Sequence, residues 1–325
     1  MDFIEQRKQF EREKIIYESA KITFKGVEGY DAYNPSIPFE WKGRKYIYAR
    51  IEKRSEWARS LVKLFENTGE DEWQLVPNSM SYQLEDPFIT IIGNELILGG
   101  THVRYEGGKI YSYYTYFYRG DDLEDLYYFT TGPECMKDIR LVELDDGRIG
   151  VFSRPKGEQI QRLYGSEAMI GFTIINSLDD LTSDVIANAR YIPNLFDKGE
   201  WGGCNQAYAL DTGLIGIAGH KSYRVGTKYN PESLCYVNVS FVFDPFNHKL
   251  VDNIKITGTR NCYPAGPAKK KYLDDCSFTA GMVMRDDENV DQYSGVADCE
   301  TGRIAIDYPL KGYGRILERS YRRIK

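Results

Sequence analysis

Four polar residues in this chain each open an apolar run, and each is answered 15 or 16 positions later by a basic residue that closes a second run across a turn. The pairs are Asn34 with Arg50, Asp86 with His102, Asp138 with Arg154, and Asn205 with His220. Carboxylates and amides facing guanidinium and imidazole groups suit two kinds of chemistry. A carboxylic acid can protonate a leaving oxygen, and a cluster of cations with many donors can hold an anion such as phosphate. Aromatic side chains are abundant, with 26 Tyr and 15 Phe. Planar rings stack on the apolar faces of pyranoses, so sugar is the substrate class that joins these features.

The intervening sequences read as β-hairpins turning at Lys42-Gly43, Gly93-Asn94, Asp146-Gly147 and Thr212-Gly213. A hairpin returns the chain to its starting end, so the two members of each pair come back to one end of their hairpin. The openings Asn34, Asp86 and Asp138 recur every 52 residues, with Asn205 and Ser277 following at longer intervals. Roughly 40–50 residues is the period of a four-stranded propeller blade. The expected fold is therefore all-β, a five-bladed β-propeller in which the paired residues converge on one mouth, with a two-sheet sandwich as the alternative.

The first 20 residues mix Phe3, Ile4, Phe10, Ile15 and Ile16 with charges and suit a short amphipathic helix. The expected organisation is an N-terminal helical extension over 1–22 and a propeller over 23–325. No apolar h-region follows the first Met and no run reaches the roughly 18 apolar residues of a membrane span, so a cytoplasmic protein with reduced thiols is expected. The six cysteines lie far apart, and the three histidines have no metal-ligand spacing. No metal is expected; Asp286, Asp287, Glu288 and Asp291 read as a solvated hairpin tip rather than a calcium loop. A net charge of −6 argues against nucleic acid.

In chain order, Tyr33-Asn34-Pro35, Arg50 with Glu52, Leu84-Glu85-Asp86-Pro87, Lys137-Asp138, Ser153-Arg154-Pro155, Trp201-Gly202-Gly203-Cys204-Asn205-Gln206, Gly219-His220-Lys221 and Tyr263-Pro264-Ala265-Gly266-Pro267-Ala268-Lys269 resemble the motifs of five-bladed β-mannoside phosphorylases. Those are the enzymes of glycoside hydrolase family 130. The chain is more similar still to the β-1,2-mannan mannosyltransferase/phosphorylases of glycosyltransferase family 108, over about residues 25–310. The resemblance implies an inverting enzyme that interconverts β-1,2-mannooligosaccharide plus phosphate with mannose 1-phosphate. By that resemblance Asp86 is the catalytic acid, acting through a mannose hydroxyl. It places Asn34, Arg50, Glu52, Lys137, Asp138, Asn205, Gln206 and Asp275 on the sugar, and Arg154, His220 and Lys221 on phosphate. No cofactor is implied beyond inorganic phosphate as co-substrate or a nucleotide-mannose donor, and an oligomer is compatible with it. Phe88 stands where the phosphorylases carry Arg.

Each residue also has a plainer reading. Asp86 before Pro87 suits a turn, Arg50 and Glu52 suit a surface ion pair, Arg154 is within reach of Glu158, and Trp201-Gly202-Gly203 is either a tight turn or a sugar platform. Two other functions fit the residues. One is a propeller hydrolase using Asp138 or Asp31 to activate water, and the other is a carbohydrate-binding propeller without catalysis.

Overall fold

In the computed structural model, residues 2–226 and 232–322 are described. Antiparallel sheets dominate, and they follow one another along the chain. Residues 31–75 form the first, built on Arg44–Glu52 and Leu61–Gly69. Glu85–Ile92, Glu95–Glu106, Lys109–Gly120 and Tyr127–Thr131 form a four-stranded meander. A third sheet runs from Arg140–Glu143 through Ile149–Ser153 and Gly171–Ile175 to Arg190–Tyr191. The fourth is nine-stranded and contains a parallel junction of only two residue pairs, Cys235 with Asp275 and Tyr236 with Cys276. On one side of that junction lie Glu200–Ala209, Ile215–Arg224 and Leu234–Asp244, and on the other Asp275–Met284, Val290–Val296 and Glu300–Ile306. The fold is all-β and propeller-like.

Alternation of apolar residues along each strand gives every sheet two faces to bury, and successive sheets share their cores. Phe88, Phe117, Ile139, Leu141 and Val151 join the second sheet to the third. Phe152, Phe172, Ala207, Ile217 and Phe243 join the third to the fourth. A larger cluster links the first two sheets to the C-terminal strands through Tyr48, Leu84, Tyr208, Met282 and Ile304. The hairpins turn where expected, with Gly43, Gly93, Gly147 and Gly213 all in the left-handed region.

The N-terminal helix is Phe3–Glu13, capped by Asp2, whose side chain accepts from the Glu5 amide at 2.9 Å. It lies on the fourth sheet, with Phe3 buried against Cys235, Val237 and Val239. Arg7 donates to both oxygens of Asp275 at 2.6 and 2.7 Å and to the Tyr223 hydroxyl at 3.0 Å. The boundary expected at residue 22 lies between two short strands, the first of which, Glu18–Lys21, pairs with Gly302–Ala305 at the far end of the chain. Thr23–Lys25 then pairs in parallel with Glu72–Gln74 of the first sheet. Residues 18–25 thus join the last sheet to the first. Among the described residues no helix is long and apolar enough to cross a membrane.

Arg7→Ala removes a bidentate, half-buried charge-assisted pair, and a loss of about 1–2 kcal/mol is expected. Thermal unfolding followed by circular dichroism should show Tm lowered by about 1.5–3 °C with the β signature intact. An unchanged Tm would mean that the Arg7–Asp275 pair contributes nothing to stability.

Candidate active site

Asp86 lies at the start of Glu85–Ile92, where the register with the neighbouring strand shifts between Glu85 and Phe88. Its φ is 49°, and the equivalent openings Asn34 and Asp138 stand at 43° and 58°. Left-handed backbone is costly for residues with a side chain, though least so for Asn and Asp. A bulge combined with that conformation turns the side chain out of the ladder. The left-handed conformation recurs at all three openings, the bulge at Asp86, and two of the side chains meet directly. The Asn34 amide donates to Asp86 Oδ1 at 2.8 Å, and it lies 3.5 Å from Asp298 Oδ1. Gly295 leaves the space for that amide; any Cβ there would collide with Asn34 Oδ1.

Arg50 is buried beneath these carboxyls. Its guanidinium reaches Asp86 Oδ1 at 3.1 Å, Glu85 Oε1 at 2.9 Å and the Ser60 hydroxyl at 2.7 Å. Lys137 Nζ stands 3.7 Å from Asp86 Oδ2. Burial pushes the Asp86 carboxyl up, but Arg50, Lys137 and the Asn34 donor outweigh it and hold the group below the usual carboxylate range. Burial prevails at Glu85 and Asp298, whose carboxyls are raised. One firmly ionised carboxylate is therefore flanked by two that take up protons more readily.

A second centre adjoins the first through Lys137. Burial opposes the charge on this lysine, but Asp86, Asp138 and Glu85 together keep it protonated. Asp138 receives Arg154 at 2.8 Å and has Arg140 at 3.8 Å. Arg154 also donates to the Gly202 carbonyl at 2.7 Å, and Arg140 to the Asn205 carbonyl at 2.6 Å. His220 Nδ1 lies 2.7 Å from Asn205 Oδ1, with the ring stacked on Tyr236. Burial and then the Arg154 charge push its pKa down to about 3, so the imidazole is neutral. A Cβ on Gly203 would stand 2.9 Å from the His220 ring and 3.0 Å from Arg154 Cδ, so glycine lets these two side chains approach. Asn34 Oδ1, Asp138 Oδ1, Asn205 Nδ2, Gln206 Oε1 and His220 Nε2 are buried without a hydrogen-bond partner in the protein. Buried polar atoms are normally paired, so their concentration here suits a polar ligand.

Most of the residues singled out in the sequence meet in these two centres, and several expectations need correcting. Lys221 follows His220 on a strand, so it faces the other side of the sheet, where it pairs with Glu200 at 2.8 Å and lies over the Phe3 ring. Asp275 is held by Arg7 of the N-terminal helix. Glu52 is fully enclosed; it accepts from Tyr33, Ser60, Lys269 and the Arg59 amide, and so supports the site from behind. Gln206 donates to the Ile89 carbonyl at 3.2 Å. His102 stacks on Tyr116 and lies against the Gln83 carbonyl, outside the Asp86 network. Arg154 pairs with Asp138 rather than Glu158. Trp201-Gly202-Gly203 is neither turn nor platform but part of the strand Glu200–Ala209, with the indole buried and donating to Tyr236.

Arg140, Asp298 and Lys156 were missed. Phe88, in the position of the phosphorylase arginine, lies beneath Arg140, whose guanidinium carbon is 4.7 Å from the ring centroid. Arg140 follows Asp138 by two residues, the spacing that puts both on one face of a strand. Asp298 follows Ala297 in a tight turn with φ of 49° and 53°, a turn shape that favours Asn-Gly, and that mismatch was its signal. Lys156, over the Tyr113 ring, is pushed down to about 8 by burial, Lys137 and Arg154. A cavity of about 740 Å³ lies elsewhere, lined by Trp73, Arg285 and Arg303 among others. Arg303 there is already paired with Glu18, Asp71 and Asp291, so the site is placed by its chemistry instead.

An all-β propeller-like body with buried carboxylates set among cations suits the cleavage and transfer of sugars. The fold of a glycosyl hydrolase from Bacteroides ovatus agrees, at a TM-score of 0.57 and 14% identity over 89% of this chain and 87% of that one. The chain matches the family described as "Protein of unknown function (DUF1861)" over residues 8–312, and it belongs to that family. It is similar to MPT-4, a mannose phosphorylase from Leishmania mexicana solved in complex with phosphate ion, with 50% identity, 97% and 95% of the two chains covered, and a TM-score of 0.90. It is also similar to MPT-1, a GDP-Man-dependent mannosyltransferase from Leishmania mexicana, with 45% identity, 98% of each chain covered and the same TM-score. No curated protein matches the chain.

The neutral His220 links pH to stability. Its folded pKa of about 3 lies below the roughly 6.5 of an unfolded histidine, so its contribution is complete above about pH 6.5 and is lost as pH falls toward 3. Denaturant midpoints measured from pH 7 to pH 4 should fall less steeply in His220→Asn than in the parent protein. Parallel slopes would show that the ring is protonated in the folded state.

Proposed function

We propose that this protein is an inverting β-mannoside phosphorylase or mannosyltransferase, with β-1,2-mannooligosaccharides as substrate and mannose 1-phosphate as the product of phosphorolysis. The carrying observation is Asp86, a buried carboxylate beside the Lys137, Arg140 and Arg154 cluster, with no second carboxylate among the described residues around it placed to activate water. Asp138 is committed to Arg154 and Arg140, and burial of the carboxyl is outweighed by these cations, which leaves it far too weak a base. Asp31 is paired with Arg54. Asp86 and Asp298 lie within 3.5 Å of one nitrogen, closer together than the roughly 6.5–9.5 Å of an inverting hydrolase. Phosphate needs no such base. The similarity to a mannose phosphorylase with phosphate and to a GDP-Man-dependent mannosyltransferase supports both donors for this scaffold.

In this reading the nine-stranded sheet is two blades meeting at its two-residue parallel junction, which makes five blades around the mouth. The sugar binds over Asn34, Asp86 and Asp298, and phosphate binds against Arg154, Lys137 and His220. An oxygen of phosphate forms the new bond to the anomeric carbon as the glycosidic bond breaks with inversion. The leaving oxygen takes a proton that Asp86 delivers through a mannose hydroxyl. A carboxyl held low by cations is ionised and has no proton to give, and the bound phosphate corrects this. Its negative charge offsets Lys137 and Arg154, which raises the Asp86 pKa where the proton is needed.

Incubation with β-1,2-mannobiose should give mannose 1-phosphate only when phosphate is present, and free mannose without phosphate would instead establish a hydrolase. Asp86→Asn should lower kcat by at least about 100-fold with its fold retained, since general acid catalysis contributes roughly that much. A folded mutant that still turns over removes Asp86 from the mechanism. Arg154→Ala should raise KM for phosphate more than KM for the mannoside; equal changes would place the anion elsewhere.

A further inference from the structure

Trp41, Trp73 and Trp201 are buried at 1%, 3% and 4% exposure, but Trp57 is 39% exposed. Its loop is nevertheless tightly held. The Arg59 amide and the Ser60 hydroxyl both donate to Glu52 Oε1, at 2.8 and 3.2 Å, and Ser60 accepts from Arg50. Ala58 between them is buried and left-handed at φ 59°, a conformation that alanine adopts only when its surroundings impose it. Lys269, buried against Glu52, lies 5.4 Å from the Trp57 ring centroid. Glu52 and Arg50 therefore tie the loop that carries Trp57 to the network around Asp86, with Lys269 beside the indole. The next hairpin reaches the same place. Glu85 pairs with Thr101, so residues 102–106 and 109–114 run past the start of the strand that carries Asp86. Tyr105 on this overhang lies under Arg59, 5.5 Å from its guanidinium carbon.

We propose that Trp57 and Tyr105 form a platform on the rim of the mouth for the mannosyl units of an oligosaccharide beyond those bound at Asp86. The inference rests on the reading of the chain as a β-mannoside-acting enzyme. Its occupant is a neutral pyranose chain. Such a chain presents apolar C–H faces to the exposed Trp57 and the half-buried Tyr105, and hydroxyls to Arg59 over the Tyr105 ring. Peptides and nucleic acids lack the continuity with a sugar site that the shared Glu52–Arg50 support creates. Because the loop is ordered by the same residues that hold Asp86, the platform meets a long chain without an ordering cost. It acts by chain length and takes no part in bond cleavage.

The full chain should be compared with Trp57→Ala, Trp57→Phe and Tyr105→Ala on β-1,2-mannobiose and the corresponding tetrasaccharide. Trp57→Ala should raise the ratio of tetrasaccharide to disaccharide KM about 3- to 10-fold, the range of one aromatic stacking contact, and Trp57→Phe should restore most of it. An unchanged ratio overturns the platform. The second readout needs no turnover: acrylamide quenching of the fluorescence lost in Trp57→Phe should be reduced by the tetrasaccharide and not by inorganic phosphate. Protection without turnover of any mannoside would support the platform while refuting the proposed reaction, whereas turnover without protection would refute the platform alone.

Discussion

Arg50 is the interaction on which the mouth depends. A guanidinium buried in protein is stable only if its donors are met, and here the partners are Asp86 and Glu85 of the next sheet and Ser60 of a loop. Asp86 and Ser60 are also anchors of something else. Asp86 holds Asn34, Ser60 holds Glu52, and Glu52 holds Lys269 from the C-terminal part of the chain. The charges are neither free nor neutralised in pairs; they form one network in which the ionised state of Asp86 is fixed by two cations at once. Such a network gives the sheets a reason to meet at one end, beyond the apolar cores between them.

Much of this was legible in the sequence because β structure has a period of two and hairpins return on themselves. The 52-residue recurrence of Asn34, Asp86 and Asp138 marked three strand openings whose backbone is now seen to be left-handed. The same period explains the misplacement of Lys221. Its neighbour His220 points into the site, so Lys221 has to point away, and motif adjacency concealed the alternation. Asp275 failed for another reason. Its partner Arg7 is 268 residues distant, and no local pattern announces a contact of that range. Arg140 and Asp298 were obscured because one looked like a strand residue and the other sat in a turn whose Ala-Asp sequence is atypical.

Hydrolases and phosphorylases share this type of fold, so architecture alone does not decide between them. The distinction lies in what surrounds the carboxylates. Pairing Asp138 with two arginines and Asp31 with Arg54 removes the bases that a water-activating mechanism would call on, while Phe88 places an aromatic face beneath Arg140 where the phosphorylases carry a cation of their own.

The pairing of Glu18–Lys21 with Gly302–Ala305 also governs how the chain reaches this state. The two partners are separated by nearly the whole sequence, and closing a flexible loop of that size costs on the order of 5 kcal/mol in chain entropy. That step becomes affordable only after the intervening sheets have shortened the distance between the ends. Until then the strand at residues 18–21 has no neighbour on the side that its partner will occupy, and its unpaired edge is open to other chains. Ring closure is therefore expected to come late and to convert a set of consecutive hairpins into one cooperative unit, with high contact order and correspondingly slow folding.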